Sequence, residues 1–262
     1  MDLQDGVWRA LKPGPRARAF GRGLLDLVFP PHSLDEDLAP APQSSGFSAD
    51  AWSRIAFVDG PVCDGCGAPQ EFALGPGGRC APCEARPHAF ARARAACLYD
   101  EASRGAILKL KHADRLDLAP LFARWLSRAA RELITDADLV APVPLHPTRL
   151  IARRYNQAAE IARPLARMSG LAYAPDVLKR IKATPTQGGR SGSGRRRNVA
   201  GAFAVPASKA AAVRGRRVLL IDDVLTTGAT ADGCARALLA AGAVGVDVAV
   251  VARVRQSERL SI

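Results

Sequence analysis

Aromatic residues make up only 5% of this 262-residue chain. None falls in the arginine run at 195–197, so no stacking platform for single-stranded nucleic acid is visible there. Lysine is scarce as well. Six of the 37 basic residues are lysines, so arginine carries most of the formal charge of +12. No stretch approaches the roughly 18 apolar residues that span a bilayer. The opening residues, MDLQDGVWRALKPGPRARAFGRG, hold no apolar block of signal-peptide length with a small-residue cleavage site after it. These absences lead to the expectation of a cytoplasmic protein with no membrane insertion. In that setting six cysteines read as metal ligands or plain thiols rather than disulfides.

What is present is enough to build a core, since 48% of the residues are apolar. The arginine excess has two readings that stay open together. One is an anionic partner such as nucleic acid, phosphate or pyrophosphate. The other is a codon bias toward Arg and Ala, which the heavy alanine content matches.

Composition divides the chain into three. Residues 1–60 are irregular, with a short helix expected at 23–29, a Pro-rich loop at 30–46, and a short helix or a helix plus strand at 49–58. Residues 61–90 are dense in Cys, Gly and Pro and too poor in branched apolar residues to build a core of their own. From 91 to 262 apolar strands alternate with helices. Strands are expected in RAACLYD, ADLVAPVPL, GRRVLLIDD and VGVDVAVVARV. Helices are expected over 117–134, over 155–169 with Pro164 as a kink or break, and from Gly228 to about Gly242. This alternation predicts an α/β fold with a parallel sheet covered by helices. Residues 182–200, KATPTQGGRSGSGRRRNVA, break the rhythm. They read either as a surface loop or as a mobile, guanidinium-rich lid.

Two motifs carry chemistry. Cys63-x2-Cys66 and Cys80-x2-Cys83 are separated by 13 residues. Two close pairs at this spacing let four thiolates converge tetrahedrally on one ion, and a closed four-thiolate shell predicts a structural zinc. Cys97 and Cys234 lie within apolar patterns and read as core residues. The second motif is VLLIDDVLTTGAT at 218–230. It is a strand, two adjacent acids, then hydroxyls and a glycine before a helix. The helix N-terminus and the hydroxyls of Thr226, Thr227 and Thr230 suit a phosphate. Asp222 and Asp223 suit two vicinal hydroxyls, so the whole suits a ribose 5-phosphate. The stretch has neither the lysine of G-x4-G-K-[ST] nor a G-x-G-x-x-G.

This segment resembles the phosphoribosyl-pyrophosphate (PRPP) motif of type I phosphoribosyltransferases. The Cys pairs, LKLKH at 108–112, VAPVPLHPTRLIARRYNQA at 140–158 and TPTQGGRSGSGRRRNVAGAF at 184–203 follow the order of the competence protein F (ComF) family, over roughly residues 60–255. The resemblance implies a type I phosphoribosyltransferase fold with a small N-terminal zinc-ribbon-like module at 61–90. A first ribbon within 1–60 is degenerate, because no cysteine follows Phe29-Pro30-Pro31. Gln187 also departs from the family in being followed by Gly-Gly.

The resemblance further implies PRPP with Mg²⁺. Asp222 and Asp223 are the implied catalytic acids, and Val224, Leu225, Thr226, Thr227, Gly228, Ala229 and Thr230 complete the binding motif. Pro144, Leu145 and His146 form the implied pyrophosphate loop, with Arg149 or Arg153 near it, and Arg195, Arg196 and Arg197 sit in the lid. His146 also reads as a surface histidine in a turn. Asn156 and Gln157 are expected to cap the next helix or to hold the loop. Lys109 and Lys111 would share a face if their segment is extended. Three functions remain in view: a phosphoribosyltransferase of unspecified acceptor; a protein of DNA uptake that binds single-stranded DNA and DNA-uptake proteins with PRPP as ligand; and a zinc-stabilised scaffold for protein partners.

Overall fold

The computed structural model describes residues 49–112, 115–182 and 201–255. The chain falls into two units, Met1–Trp52 and Ser53–Ile262, and every described strand belongs to the second. The helix expected at 23–29 lies outside the described residues. The one expected near 49–58 is α1 (Ala49–Arg54), and α2 (Ala81–Ala85) carries the second cysteine pair.

Five strands form one sheet in the order β1-β7-β6-β2-β3, all parallel. They are β1 (Arg92–Leu98), β2 (Leu139–Pro142), β3 (Ala172–Tyr173), β6 (Arg217–Leu225) and β7 (Gly245–Arg253). β2 is buried along its whole length, as is β7. This is the mark of a parallel sheet covered on both faces, and it explains why these strands read as continuous apolar runs. Fully burying each of Val218, Leu219, Leu220 and Ile221 favours the fold by about 1.5–3 kcal/mol.

The helices follow the apolar spacing, with two adjustments. α4 (Ala119–Ala129) buries Leu121, Phe122, Trp125 and Leu126, one stripe at helical spacing. The single helix expected over 117–134 is broken. Ala130 leaves helical geometry (φ −114°, ψ 28°), and α5 (Arg131–Asp136) begins after it. α7 (Gln157–Ser169) runs through Pro164 without ending and stops at Gly170 in the left-handed conformation. α8 (Ala229–Ala240) packs Cys234, Ala235 and Leu238 against Val218 and Leu220 of β6 and Val248 and Val250 of β7. Cys97 and Cys234 are wholly buried, as their apolar context predicted.

α3 (Glu101–His112) is a helix, so the extended segment on which a shared face of the two lysines depended is not formed. A separate antiparallel pair, β4 (Lys179–Arg180) and β5 (Phe203–Ala204), joins the two ends of the arginine-rich segment. Among the described residues no helix is long and apolar enough to cross a membrane.

Candidate functional site: the downstream edge of the sheet

Strand order and chain order together locate a crevice. From β2 the chain moves outward to β3; from β6 it moves the other way to β7. The direction reverses between β2 and β6. In open α/β sheets ligands bind beyond the carboxyl ends of the strands at such a point. The two loops that leave β2 and β6 there are 143–146, which was expected to face pyrophosphate, and 226–228. Val143 N–H donates to the Ile221 carbonyl at 2.9 Å, so the first loop starts beside the acids of the second.

β6 starts and ends two residues later than expected. Asp222 and Asp223 lie within it, and it ends only at Leu225. Successive residues of a strand point to opposite faces. Val218 and Leu220 face α8, so Asp222 continues that face and Asp223 the other. The Cys234 thiol on α8 agrees: burial pushes it well up, and the charge of Asp222 adds to the effect while Arg180 opposes it. A ligand held by both acids therefore lies across the strand end rather than between two parallel side chains. Asp223 N–H donates to Asp222 Oδ1 at 2.9 Å, which fixes the first carboxylate.

Beyond Leu225 the chain turns through exposed Thr226 and half-buried Thr227 to Gly228. Gly228 has φ 75°, and a Cβ there would stand 2.7 Å from His88 Cε1. Backbone angle and space both require glycine. Gly228 is also the N-cap of α8, and no side chain caps that helix. Its first N–H groups are left to other partners, which is the condition for anion binding. Ala229 is buried, and Thr230 is half-buried in the first turn.

The loop after β2 is built differently. Pro144 is buried, and Leu145 and His146 are half-buried. His146 is the N-cap of α6 (Pro147–Arg153); its Nδ1 accepts from Thr148 N–H at 3.4 Å and lies 2.8 Å from Thr148 Oγ1. Both expectations for Asn156 hold at once. Its Oδ1 caps α7 by accepting from Ala158 N–H at 3.2 Å, and its Nδ2 donates to the Val143 carbonyl at 2.9 Å. Arg149 lies on α6, and Arg153 reaches Gln157 Oε1 at 3.4 Å. Arg195, Arg196 and Arg197, with the rest of the expected lid beyond Lys182, lie outside the described residues.

The cysteine cluster forms as its spacing predicted. The four Sγ atoms of Cys63, Cys66, Cys80 and Cys83 lie within 4.8 Å of one another, and those of Cys66 and Cys80 are 3.8 Å apart. A zinc tetrathiolate with bonds of about 2.3 Å has tetrahedral edges of about 3.8 Å, so the donors fit. Gly67 (φ 68°) makes the first turn possible, because a Cβ there would stand 2.8 Å from the Ala93 carbonyl oxygen. Burial pushes the Cys66 thiol up to about 11, partly offset by the charge of Arg253. Burial also drives Cys83 far up, and the neighbouring Cys66 sulfur adds to this. At Cys63 burial opposes ionisation, but hydrogen bonds from Cys80 and Cys66 outweigh it and hold the thiol below its ordinary value. A divalent cation is what would turn such a crowded set into thiolates together.

Residues 156–261 match the phosphoribosyl transferase domain family. DNA utilization protein YhgH of Escherichia coli O157:H7 is 31% identical over 201 residues, covering 75% of this chain and 86% of that protein. Competence protein F of Haemophilus influenzae is 34% identical over 152 residues, covering 56% of this chain and 66% of that one. The chain belongs to the competence protein F family. Among solved structures, B. subtilis glutamine PRPP amidotransferase, complexed with ADP and GMP, is similar at 23% identity and a TM-score of 0.33 over 53% of this chain and 26% of its own. That likeness is too slight to add to the fold read from the sheet itself. This competence protein F relative is thus phosphoribosyltransferase-like, with a parallel sheet and a four-cysteine cluster that could hold a metal such as zinc.

Two features had no signal in the sequence. His88 lies over Gly228, its Nδ1 3.0 Å from Asp232 Oδ2 and its ring stacked on Phe90 at 4.5 Å. Asp232 Oδ1 also accepts from Ala89 N–H at 2.8 Å. The connector between the cysteine cluster and β1 is thereby pinned to the first turns of α8. The second is Arg253, which closes β7 at 2% exposure and donates from Nη1 to the Cys66 carbonyl.

Proposed function

We propose that this protein binds PRPP, or another phosphoribosyl ligand, with Mg²⁺ across the switch point between β2 and β6. One observation carries this reading: a helix without a side-chain cap opens at a left-handed glycine, three residues beyond a strand that carries two adjacent acids near its end. Asp222 and Asp223 take the ribose hydroxyls from the two faces of β6. Val224 and Leu225 lead into the Thr226–Thr230 turn, whose N–H groups and hydroxyls hold the 5-phosphate. Pro144, Leu145 and His146, with Arg149, Arg153 and the Arg195–Arg197 segment, face the pyrophosphate. Mg²⁺ supplies charge neutralisation on that leaving group.

In the reaction the C1–O bond breaks, pyrophosphate leaves with the electron pair, and an incoming nitrogen bonds to C1. The two carboxylates favour the positive charge that develops on the ring, an electrostatic contribution that needs no covalent step. In this reading residues 61–90 are a zinc-ribbon-like module, with zinc held by Cys63, Cys66, Cys80 and Cys83, and residues 91–262 are the phosphoribosyltransferase-like domain of a cytoplasmic protein.

Calorimetry of Mg²⁺–PRPP binding tests the proposal. The Asp222→Asn/Asp223→Asn variant should bind at least tenfold more weakly than wild type, about 1.4 kcal/mol. Equal binding by the two proteins overturns it.

The names of the relatives support a second reading, in which single-stranded DNA and DNA-uptake proteins are the partners and PRPP is a regulator. The arginine excess supports it too, although Arg92, Arg94, Arg115, Arg128, Arg163 and Arg217 are all paired with acids of the same chain. This reading predicts DNA binding that falls steeply with salt.

A further inference from the structure

Arg253 is the most deeply buried cation among the described residues, at 2% exposure. Its position is unlike that of the acid-paired arginines around it in the sheet. Arg92 and Arg217 share the carboxylate of Asp247, and Arg94 joins Asp64 and Glu132. Among the described residues Arg253 meets no carboxylate within ion-pair distance. Nη1 donates to the Cys66 carbonyl, and Nη2 is buried with no hydrogen-bond partner at all. A buried guanidinium without an opposite charge is strongly unfavourable. The residue it touches, however, is one of four cysteines whose sulfurs lie within 4.8 Å of one another. A divalent ion on four thiolates leaves a dianion. The buried positive charge and the buried negative site each lack a partner, and each is the other's neighbour.

We infer that Arg253 is the built-in counter-charge of a dianionic metal–tetrathiolate at Cys63, Cys66, Cys80 and Cys83. The inference rests on the zinc reading above. It makes the cysteine module and β7 a single electrostatic unit. The register sets Arg253 beside Leu225, and Val254 N–H donates to the Leu225 carbonyl at 3.0 Å. The counter-charge therefore stands one residue from the turn that begins at Thr226.

The test is zinc affinity, by competition with a chromophoric chelator, and thermal unfolding with excess zinc and with EDTA. Wild type is compared with Arg253→Met and Arg253→Lys. Arg253→Met should bind zinc about 10–100-fold more weakly, as when a group supporting a metal ligand is lost, and Arg253→Lys should keep most of the affinity. The shift in unfolding temperature should change sign. Arg253→Met lowers it with zinc, where the dianion loses its counter-charge. It raises it with EDTA, where the unpaired cation is gone. A packing role alone lowers it in both conditions, and that result overturns the inference. So does zinc affinity in Arg253→Met equal to that of a zinc-binding wild type. Wild type that takes up no zinc overturns the metal reading and the counter-charge with it.

Discussion

The two ends of the sheet are built on opposite principles. At the upstream end Asp247 is fully buried, yet both its oxygens are engaged: Arg92 Nε and Nη2 approach at 3.1 and 2.8 Å, and Arg217 Nη1 at 3.1 Å. Asp136 adds a second acid to Arg92 at 2.8 Å. Arg92, Arg217, Asp136 and Asp247 there answer one another's charges. At the downstream end the helix that follows β6 has no side-chain cap, and a buried guanidinium nitrogen has no partner among the described residues. Within the downstream end the helix starts differ as well: α7 is capped by Asn156, whereas α8 opens on bare glycine. One end is closed on itself for stability; the other leaves donors without side-chain partners among the described residues.

Substitutions at each end test this contrast. The largest loss is expected at the closed end. Asp247→Ala leaves two arginines around an empty buried site and should cost about 3–5 kcal/mol in urea unfolding; a cost below about 1 kcal/mol would mean that the upstream charges do not support one another. Next is Gly228→Ala at the open end. The left-handed backbone should cost about 1–2 kcal/mol, and the added methyl must displace His88. Here the loss of phosphoribosyl ligand affinity, read by calorimetry, should exceed the loss of stability. Asn156→Ala should cost about 1 kcal/mol, because it removes a cap and the tie to the Val143 carbonyl.

The smallest effect belongs to a pair only two residues apart in the chain. Hydrogen bonds from Arg115 hold the Asp117 carboxyl below its ordinary value against the opposing effect of burial. A lowered carboxyl contributes stability above the ordinary carboxylate range, and this is lost as pH falls through the lowered value. With Asp117 60% exposed, solvent screening limits the contribution to a few tenths of a kcal/mol. Unfolding of wild type and Asp117→Asn at pH 7 and pH 3 should differ by no more than that.

Much of this architecture was readable from local pattern. The apolar runs became β6 and β7, the four-cysteine spacing became a cluster, and Gly228 and Gly170 marked helix ends. Each of those signals lies within a short window of chain. What could not be read joins distant segments. The His88–Asp232 contact spans 144 residues and the Arg253–Cys66 contact 187, and neither residue sits in a motif that names its partner. The break at Ala130 was hidden for a different reason: the apolar spacing continues across it, so periodicity alone predicts one helix. A shared face for Lys109 and Lys111 depended on an extended segment, and alternation over four residues cannot separate a strand from a helix. The opposite facing of Asp222 and Asp223 follows from strand parity, but only once β6 is known to run past them.

Residues 56–58 lie antiparallel along the outer side of β1, with Val58 N–H on the Ala96 carbonyl at 3.0 Å and Leu98 N–H on the Ala56 carbonyl at 2.8 Å. At the far margin β3 has only two residues. An open margin of a sheet is a template on which another copy can build, and this one is covered on one side and cut short on the other. The short stretch after α1 thus helps keep the molecules apart from one another in a crowded solution.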